Sequence, residues 1–91
     1  MGEFGSDALA ITTRQVMRED WPILLVTHDA DDGAWQFVNG HGDTGHPDSA
    51  MVVAATEVAA LDPSVAELAD LPVGWRAWRE AADQPWRLEP R

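Results

Sequence analysis

Histidine and aspartate lie close together in one polar, glycine-rich stretch of this sequence. His41, Asp43 and His46 fall within six residues, and imidazole with carboxylate is a ligand set that suits zinc, nickel or non-haem iron. Three glycines and one proline between residues 39 and 49 predict a loop that could bend these side chains toward one point. Histidines in loops are more often exposed polar residues than metal ligands, so we predict no cofactor. A metal-dependent enzyme that uses these three residues is kept as an alternative hypothesis.

Other catalytic chemistry has little support in the residue types. The chain has no cysteine, which excludes a disulfide, a thiolate zinc site and a cysteine nucleophile. None of its three serines lies in a Gly-x-Ser-x-Gly motif, and without lysine there is no phosphate-binding loop ending in Gly-Lys-Ser/Thr. The aspartates before Gly33 stand in the wrong register for a calcium loop. We therefore predict no catalytic residues.

Charge restricts the partners that this chain can bind. Sixteen acidic residues oppose six arginines, for a net charge of −10, and neither lysine nor arginine occurs between Glu19 and Trp75. Such a surface repels nucleic acid and anionic lipid and attracts basic proteins. We therefore predict a basic protein partner, no nucleic acid and no membrane. The predicted contact residues are aspartates on turns and loops together with two tryptophan anchors: Asp29, Asp31, Asp32, Asp43, Asp48, Trp75 and Trp78.

Ninety-one residues predict a single domain. Residues 1–6, Met-Gly-Glu-Phe-Gly-Ser, read as the product of cloning sites and are set aside as an expression tag, which leaves an acidic domain over residues 7–91. The longest apolar runs are too short to span a membrane, and no signal peptide is visible. We expect a cytoplasmic protein.

The hydrophobic pattern predicts two β-hairpins and one further strand. The strands span residues 23–28, 34–38, 51–55, 74–80 and 85–89. Short helices are predicted after Thr12, Thr56 and Asp62, each of which can cap a helix N-terminus. Both faces of the last hairpin carry tryptophan and arginine, so one face should be exposed, with arginine over an aromatic ring. The order of elements predicts an α+β fold, with a small, mostly antiparallel sheet of about four to five strands and two to three short helices.

Several of these local patterns together resemble a bacterial family of small domains of unknown function. They are Gly33-Ala34-Trp35-Gln36-Phe37, Leu61-Asp62-Pro63-Ser64-Val65 and Leu71-Pro72-Val73-Gly74. The family is related to the immunity proteins of polymorphic toxin systems, of the thirty-third immunity type, and the resemblance covers about residues 10 to 90. It implies a non-enzymatic domain that neutralises a toxin by covering a basic surface.

The first hypothesis is therefore a small acidic protein-binding domain, immunity-like, whose basic partner is a toxin. Two alternatives stay open beside it. One is the metal-dependent enzyme with His41, Asp43 and His46, and the other is a regulatory domain that self-associates through a tryptophan-rich sheet face. We expect a monomer or a weak homodimer.

Overall fold

A mixed sheet of six strands forms the centre of the fold in a computed structural model that describes residues 4–5, 7–44 and 47–91. In chain order the strands are β1 (Leu9–Thr13), β2 (Leu25–His28), β3 (Trp35–Val38), β4 (Ala50–Ala54), β5 (Trp75–Trp78) and β6 (Arg87–Pro90). They lie side by side in the order β4-β1-β3-β2-β5-β6. The β1–β3 pair is parallel and the other four pairs are antiparallel. The α+β class and the mostly antiparallel sheet are confirmed.

The strand missing from the sequence prediction is β1, so the predicted count of four to five strands was too low. Its residues, Leu-Ala-Ile-Thr-Thr, begin two residues beyond the predicted expression tag, after Asp7 and Ala8. Strand β1 nevertheless lies inside the sheet, between β3 and β4. Phe4 also contributes to the fold, because its ring packs edge-on against Trp35 at 4.9 Å and against Phe37 at 5.7 Å between centroids.

Two α-helices and two 3₁₀ helices lie within the part of the chain that the structure describes. In chain order they are α1 (Arg14–Arg18), a 3₁₀ helix (Pro47–Ser49), α2 (Ala55–Leu61) and a second 3₁₀ helix (Pro63–Leu68). Among these described residues, no helix is both long enough and apolar enough to cross a membrane.

The predicted helix caps are right in one case and displaced in two. Asp62 caps the second 3₁₀ helix by accepting a hydrogen bond from the Ser64 amide, as the Asp-Pro opening predicts. Helix α1 is capped by Thr13, the last residue of β1, and not by Thr12, whose hydroxyl donates to the Phe37 carbonyl instead. Helix α2 begins one residue before Thr56, and its N-cap residue is Ala54, which offers no side-chain acceptor.

The first hairpin forms as its turn residues predict. Strands β2 and β3 pair antiparallel, and the turn closes with a 2.8 Å hydrogen bond from the Asp29 amide to the Ala34 carbonyl. Gly33 occupies the left-handed region with φ of 72°, a conformation that costs most other residues about 1 kcal/mol or more. The closing hairpin of β5 and β6 is confirmed as well.

The helices and the apolar segments between them cover one face of the sheet, which we call the inner face. Trp35 and Phe37 share this face, as the strand period predicts, and Val26 and Ala77 are paired in register beside Phe37. The buried core consists of Ala10, Val16, Ile23, Val26, Trp35, Phe37, Ala55, Val58, Val65, Leu68, Leu71 and Ala77. Helices α1 and α2 and the second 3₁₀ helix contribute to this one cluster, whereas Leu9 and Val52, on the opposite face of the sheet, are exposed to solvent.

Candidate functional site

The opposite face of the sheet, which we call the outer face, consists of the strand residues that alternate with the core residues. One row runs across all the strands in register: Val52, Ile11, Gln36, Thr27, Arg76 and Glu89. The two halves of this row differ in chemistry. Strands β4 and β1 present aliphatic side chains, whereas β5 and β6 present an arginine and a glutamate.

The aliphatic half is exposed to solvent. Leu9 is 63% exposed, Ile11 37% and Val52 70%, and Ile11 and Val52 face each other across the β1–β4 pair. Their contact with water is unfavourable by roughly 25 cal/mol for every Å² of apolar surface. Contiguous exposed aliphatic side chains of this kind are typical of a surface that binds another protein.

Side chains in the charged half of the outer face interact with one another through hydrogen bonds and a cation–π contact. Trp78 donates a hydrogen bond from Nε1 to the Glu89 carboxylate at 2.6 Å, and Arg76 donates to the same carboxylate at 3.3 Å. These two donors, the Trp78 indole foremost, hold the pKa of Glu89 below its ordinary value. The guanidinium of Arg87 lies over the Trp78 ring at 5.2 Å, which confirms the predicted arginine over an aromatic ring.

A short loop borders the aliphatic half at one end. The loop spans residues 39–44, and its Asp43 and Thr44 line a groove of about 190 Å³ together with strand residues that include Ile11 and Gln36. The loop is held by Asn39, which donates from its side chain to the Pro22 carbonyl at 2.8 Å. The aliphatic surface therefore ends against an ordered polar rim.

The buried side chain of Asp43 links this loop to the end of strand β1. This side chain is 1% exposed, and one carboxylate oxygen accepts from the Thr13 hydroxyl at 2.7 Å and from the Asn39 amide at 2.8 Å. The other oxygen accepts from the Gly40 amide at 2.8 Å. Thr13 in turn caps α1 by accepting from the Val16 amide. Both oxygens of Asp43 are thus engaged within the fold, and its side chain is not at the surface where the sequence prediction put it.

The five predicted aspartates do not form one surface. Asp29, Asp31 and Asp32 lie in the β2–β3 turn, which is at the end of the sheet where β1 begins and β4 ends. Asp43 and Asp48 lie at the opposite end, so the length of the strands separates the two groups. Asp29 and Asp32 also accept amide hydrogen bonds from within the turn. The prediction that neighbouring loops bring all five together is therefore wrong.

The two predicted tryptophan anchors lie on opposite faces. Trp78 belongs to the outer face and is partly buried, in register with Leu25 of β2. Trp75 lies on the inner face, where it packs against the core cluster. A partner that binds one face can contact only one of them, and among the pair Trp78 is the one beside the exposed surface. Trp35 is buried, while Trp21 and Trp86 are partly buried.

The metal hypothesis rests partly on a residue that lies outside the described part of the chain. His46 is not described, whereas His41 is exposed in the loop and Asp43 is buried beside it. Among residues 4–5, 7–44 and 47–91, no group of three histidine, aspartate or glutamate side chains could hold a metal ion. Because the two Asp43 oxygens already accept three hydrogen bonds, coordination through them would have to displace the Thr13 or backbone donors.

Two larger grooves flank a buried arginine. Arg79 lines both a groove of about 320 Å³ beside Trp21 and one of about 530 Å³ beside Trp86. Its guanidinium pairs with Asp62 at 2.9 Å, donates from Nε to the Ile23 carbonyl at 3.0 Å, and stacks 4.0 Å from the centre of the Trp86 ring. A guanidinium with all these partners holds the closing hairpin to the fold and is not free to bind a ligand.

Leu9, Ile11 and Val52 are not among the contact residues predicted from the sequence. Aliphatic side chains in a strand predict a core, and only the pairing of β1 with β4 reveals that these three point away from it. A signal was nevertheless present, because β4 carries neither charge nor proline and a short antiparallel sheet often leaves one face open.

No protein-family model, curated protein or solved structure matches this chain. The resemblance to immunity proteins therefore stays a prediction that rests on the local motifs.

Proposed function

We propose that this chain is a small acidic protein-binding domain that binds a basic protein partner through the aliphatic half of its outer face. The observation that carries the proposal is the exposure of Leu9, Ile11 and Val52 on the face of β1 and β4 that is opposite the buried core. When a partner covers these aliphatic side chains and excludes water from them, the burial of apolar surface stabilises the complex.

The charge of the chain specifies the kind of partner. Exposed acids stand at both ends of the aliphatic strands: Asp7 and the Asp31–Asp32 pair at one end, and Asp48 at the other. The two arginines on the outer face, Arg76 and Arg87, belong to its other half, and the exposed Arg14 that follows β1 is paired with Glu19 at 3.5 Å. A partner with basic side chains around an apolar centre complements this arrangement, and the attraction accelerates its association.

The resemblance to immunity proteins adds a biological class to this partner. If the chain neutralises a toxin, the toxin presents a basic surface and loses activity when that surface is covered. Self-association is the less favoured use of the same face, because two copies with a charge of −10 each repel one another.

The experiment is a pull-down from the source lysate at low and high salt, with variants of matched charge. The Asp31→Lys/Asp32→Lys variant reverses two acids at the end of the aliphatic strands, and the Glu67→Lys/Asp70→Lys variant makes the same charge change in and just after the second 3₁₀ helix. Each partner is then purified, and its association rate with every variant is measured.

The proposal expects a basic protein that binds at low salt, is lost at high salt, and associates about tenfold more slowly with the first variant than with the second. Ile11→Lys should abolish the complex, because it places a charge at the centre of the aliphatic surface. Equal effects of the two charge variants would mean that bulk charge alone attracts the partner. Unchanged binding of Ile11→Lys would place the contact elsewhere and refute the proposal.

A further inference from the structure

The two edges of the sheet differ in how they are protected. Strand β6 forms one edge with Arg87, Leu88, Glu89 and Pro90, and a proline and charged side chains are the usual means of blocking strand addition. Strand β4 forms the other edge with Ala-Met-Val-Val-Ala, which contains neither a charge nor a proline. The β4 edge thus lacks the proline and the charged side chains that hinder strand addition at the β6 edge.

The hydrogen-bond pattern of β1 and β4 reveals which backbone groups of β4 point away from β1, toward the edge of the sheet. The Ala55 amide donates to the Ala8 carbonyl at 2.8 Å, which makes these two residues a hydrogen-bonded pair. Such pairs alternate along an antiparallel ladder. Met51 and Val53 therefore direct their amides and carbonyls toward β1, whereas Val52 directs its amide and carbonyl away from the sheet.

Side chains and charge define what fits beside this edge. Val52 is 70% exposed on the outer face and adjoins Ile11, so an added strand with an apolar residue beside them would extend the aliphatic surface. Exposed Asp48 stands just before β4, and exposed Glu57 lies in the first turn of α2 just after it. Basic side chains at the two ends of an added strand would meet these carboxylates.

From this geometry we infer that β4 accepts an extended, basic segment of a partner protein as an additional strand of the sheet. The inference rests on the proposed function and adds the mode of binding to it: main-chain hydrogen bonds to Val52 supply affinity, and alternate side chains supply selectivity. Net charge selects a basic segment over a second copy of this chain as the occupant.

The probe is the peptide Lys-Val-Thr-Val-Thr-Val-Lys with acetylated and amidated ends. It is titrated into the isotope-labelled protein, and the backbone amide chemical shifts are followed by NMR. Two matched peptides accompany it: one with N-methyl groups on alternate residues, which removes donors along one edge, and one with glutamate at both ends. The protein variants are Val52→Pro, which removes the outward amide but no bond to β1, and Val52→Thr, which keeps that amide and the branched shape.

The inference expects saturable shifts centred on β4 and a Val52 amide that exchanges at least about tenfold more slowly in the complex. The N-methylated peptide and the Val52→Pro variant should each weaken binding about tenfold or more, whereas Val52→Thr should retain it. Amide exchange of Met51 and Val53 in free Val52→Pro checks that the β1–β4 pair stays intact.

The ways of failing are distinguishable. Equal binding of the N-methylated peptide would overturn strand addition but leave the basic-partner function standing, since side chains would then suffice. Equal binding of the glutamate peptide would overturn the basic-partner function and the basic character of the added segment, but it would leave strand addition at β4 standing. Absence of any shift at about 1 mM of the lysine peptide would overturn the inference, as would a dimer of the free protein that Val52→Pro dissociates, because the edge would then bind a second copy.

Discussion

Asp43 has either a structural role in holding the loop or a role in binding a partner or metal. The Asp43→Asn substitution distinguishes the two. In the wild type, the Thr13 hydroxyl and the amides of Asn39 and Gly40 donate to its two carboxylate oxygens at 2.7–2.8 Å. Asparagine keeps one acceptor oxygen and replaces the other by an NH₂ group. If the retained oxygen faces Thr13 and Asn39, the new NH₂ points at the Gly40 amide, and two donors oppose each other.

The cost can be worked from these contacts. An unsatisfied buried donor costs about 1–3 kcal/mol, and two charge-assisted hydrogen bonds that become neutral lose roughly 0.5–1 kcal/mol each. Since the loop can open toward water and recover part of this, we expect about 2–4 kcal/mol less stability. A domain of 91 residues has a total of roughly 5–14 kcal/mol, and a loss of 3 kcal/mol corresponds to roughly 12–24 °C in Tm.

Urea unfolding followed by tryptophan fluorescence measures this change. The control is Asp48→Asn, which removes a charge from an exposed side chain at the same end of the sheet and should change stability by no more than about 0.5 kcal/mol. An Asp43→Asn protein as stable as the wild type would show that the three hydrogen bonds contribute nothing net and would refute the structural role. A rise in wild-type Tm with zinc that Asp43→Asn abolishes would support a metal site instead.

Three further predictions concern other parts of the fold. Arg79→Lys should lower stability by about 2–3 kcal/mol in urea unfolding, because an ammonium cannot reproduce the planar fork or the stacking on Trp86, and a loss below 0.5 kcal/mol would contradict that account. Since the hydrogen bond from Trp78 lowers the folded-state pKa of Glu89, its contribution is present above the unfolded-state pKa and disappears as pH falls through the folded-state value. The stability difference between wild type and Glu89→Gln should therefore shrink as the pH is lowered below about 4.5, and a constant difference down to about pH 3 would refute the linkage. Gly33→Ala should cost about 1 kcal/mol through backbone strain alone, because among the described residues no atom beyond its two chain neighbours lies within 4 Å of the added methyl, and Gly33→Asn should cost less.

Local signals in the sequence determined the parts of this fold that depend on neighbouring residues. The acidic turn before Gly33 specified the first hairpin, the Asp62-Pro63 pair specified a helix start, and the alternation of Trp35 and Phe37 specified a shared buried face. Each of these depends on backbone preferences within a few residues, which is why the sequence alone predicts them. The acidic charge and the lack of cysteine are likewise properties of composition.

The tertiary structure decided which residues meet across the sheet and which stay exposed. Strand β1 finds its place only by pairing with β3 and β4, both distant in sequence, and that pairing turns Ile11 and Val52 outward. Burial of Asp43 likewise depends on Thr13, thirty residues away. A one-residue change of register would exchange the two faces of a strand, and local pattern does not fix the register of strands that are apolar on both faces. The acidic charge and the alternation of buried residues along β3 are visible in the sequence. The exposed aliphatic edge, in contrast, exists only because the long-range pairing of the strands leaves it uncovered.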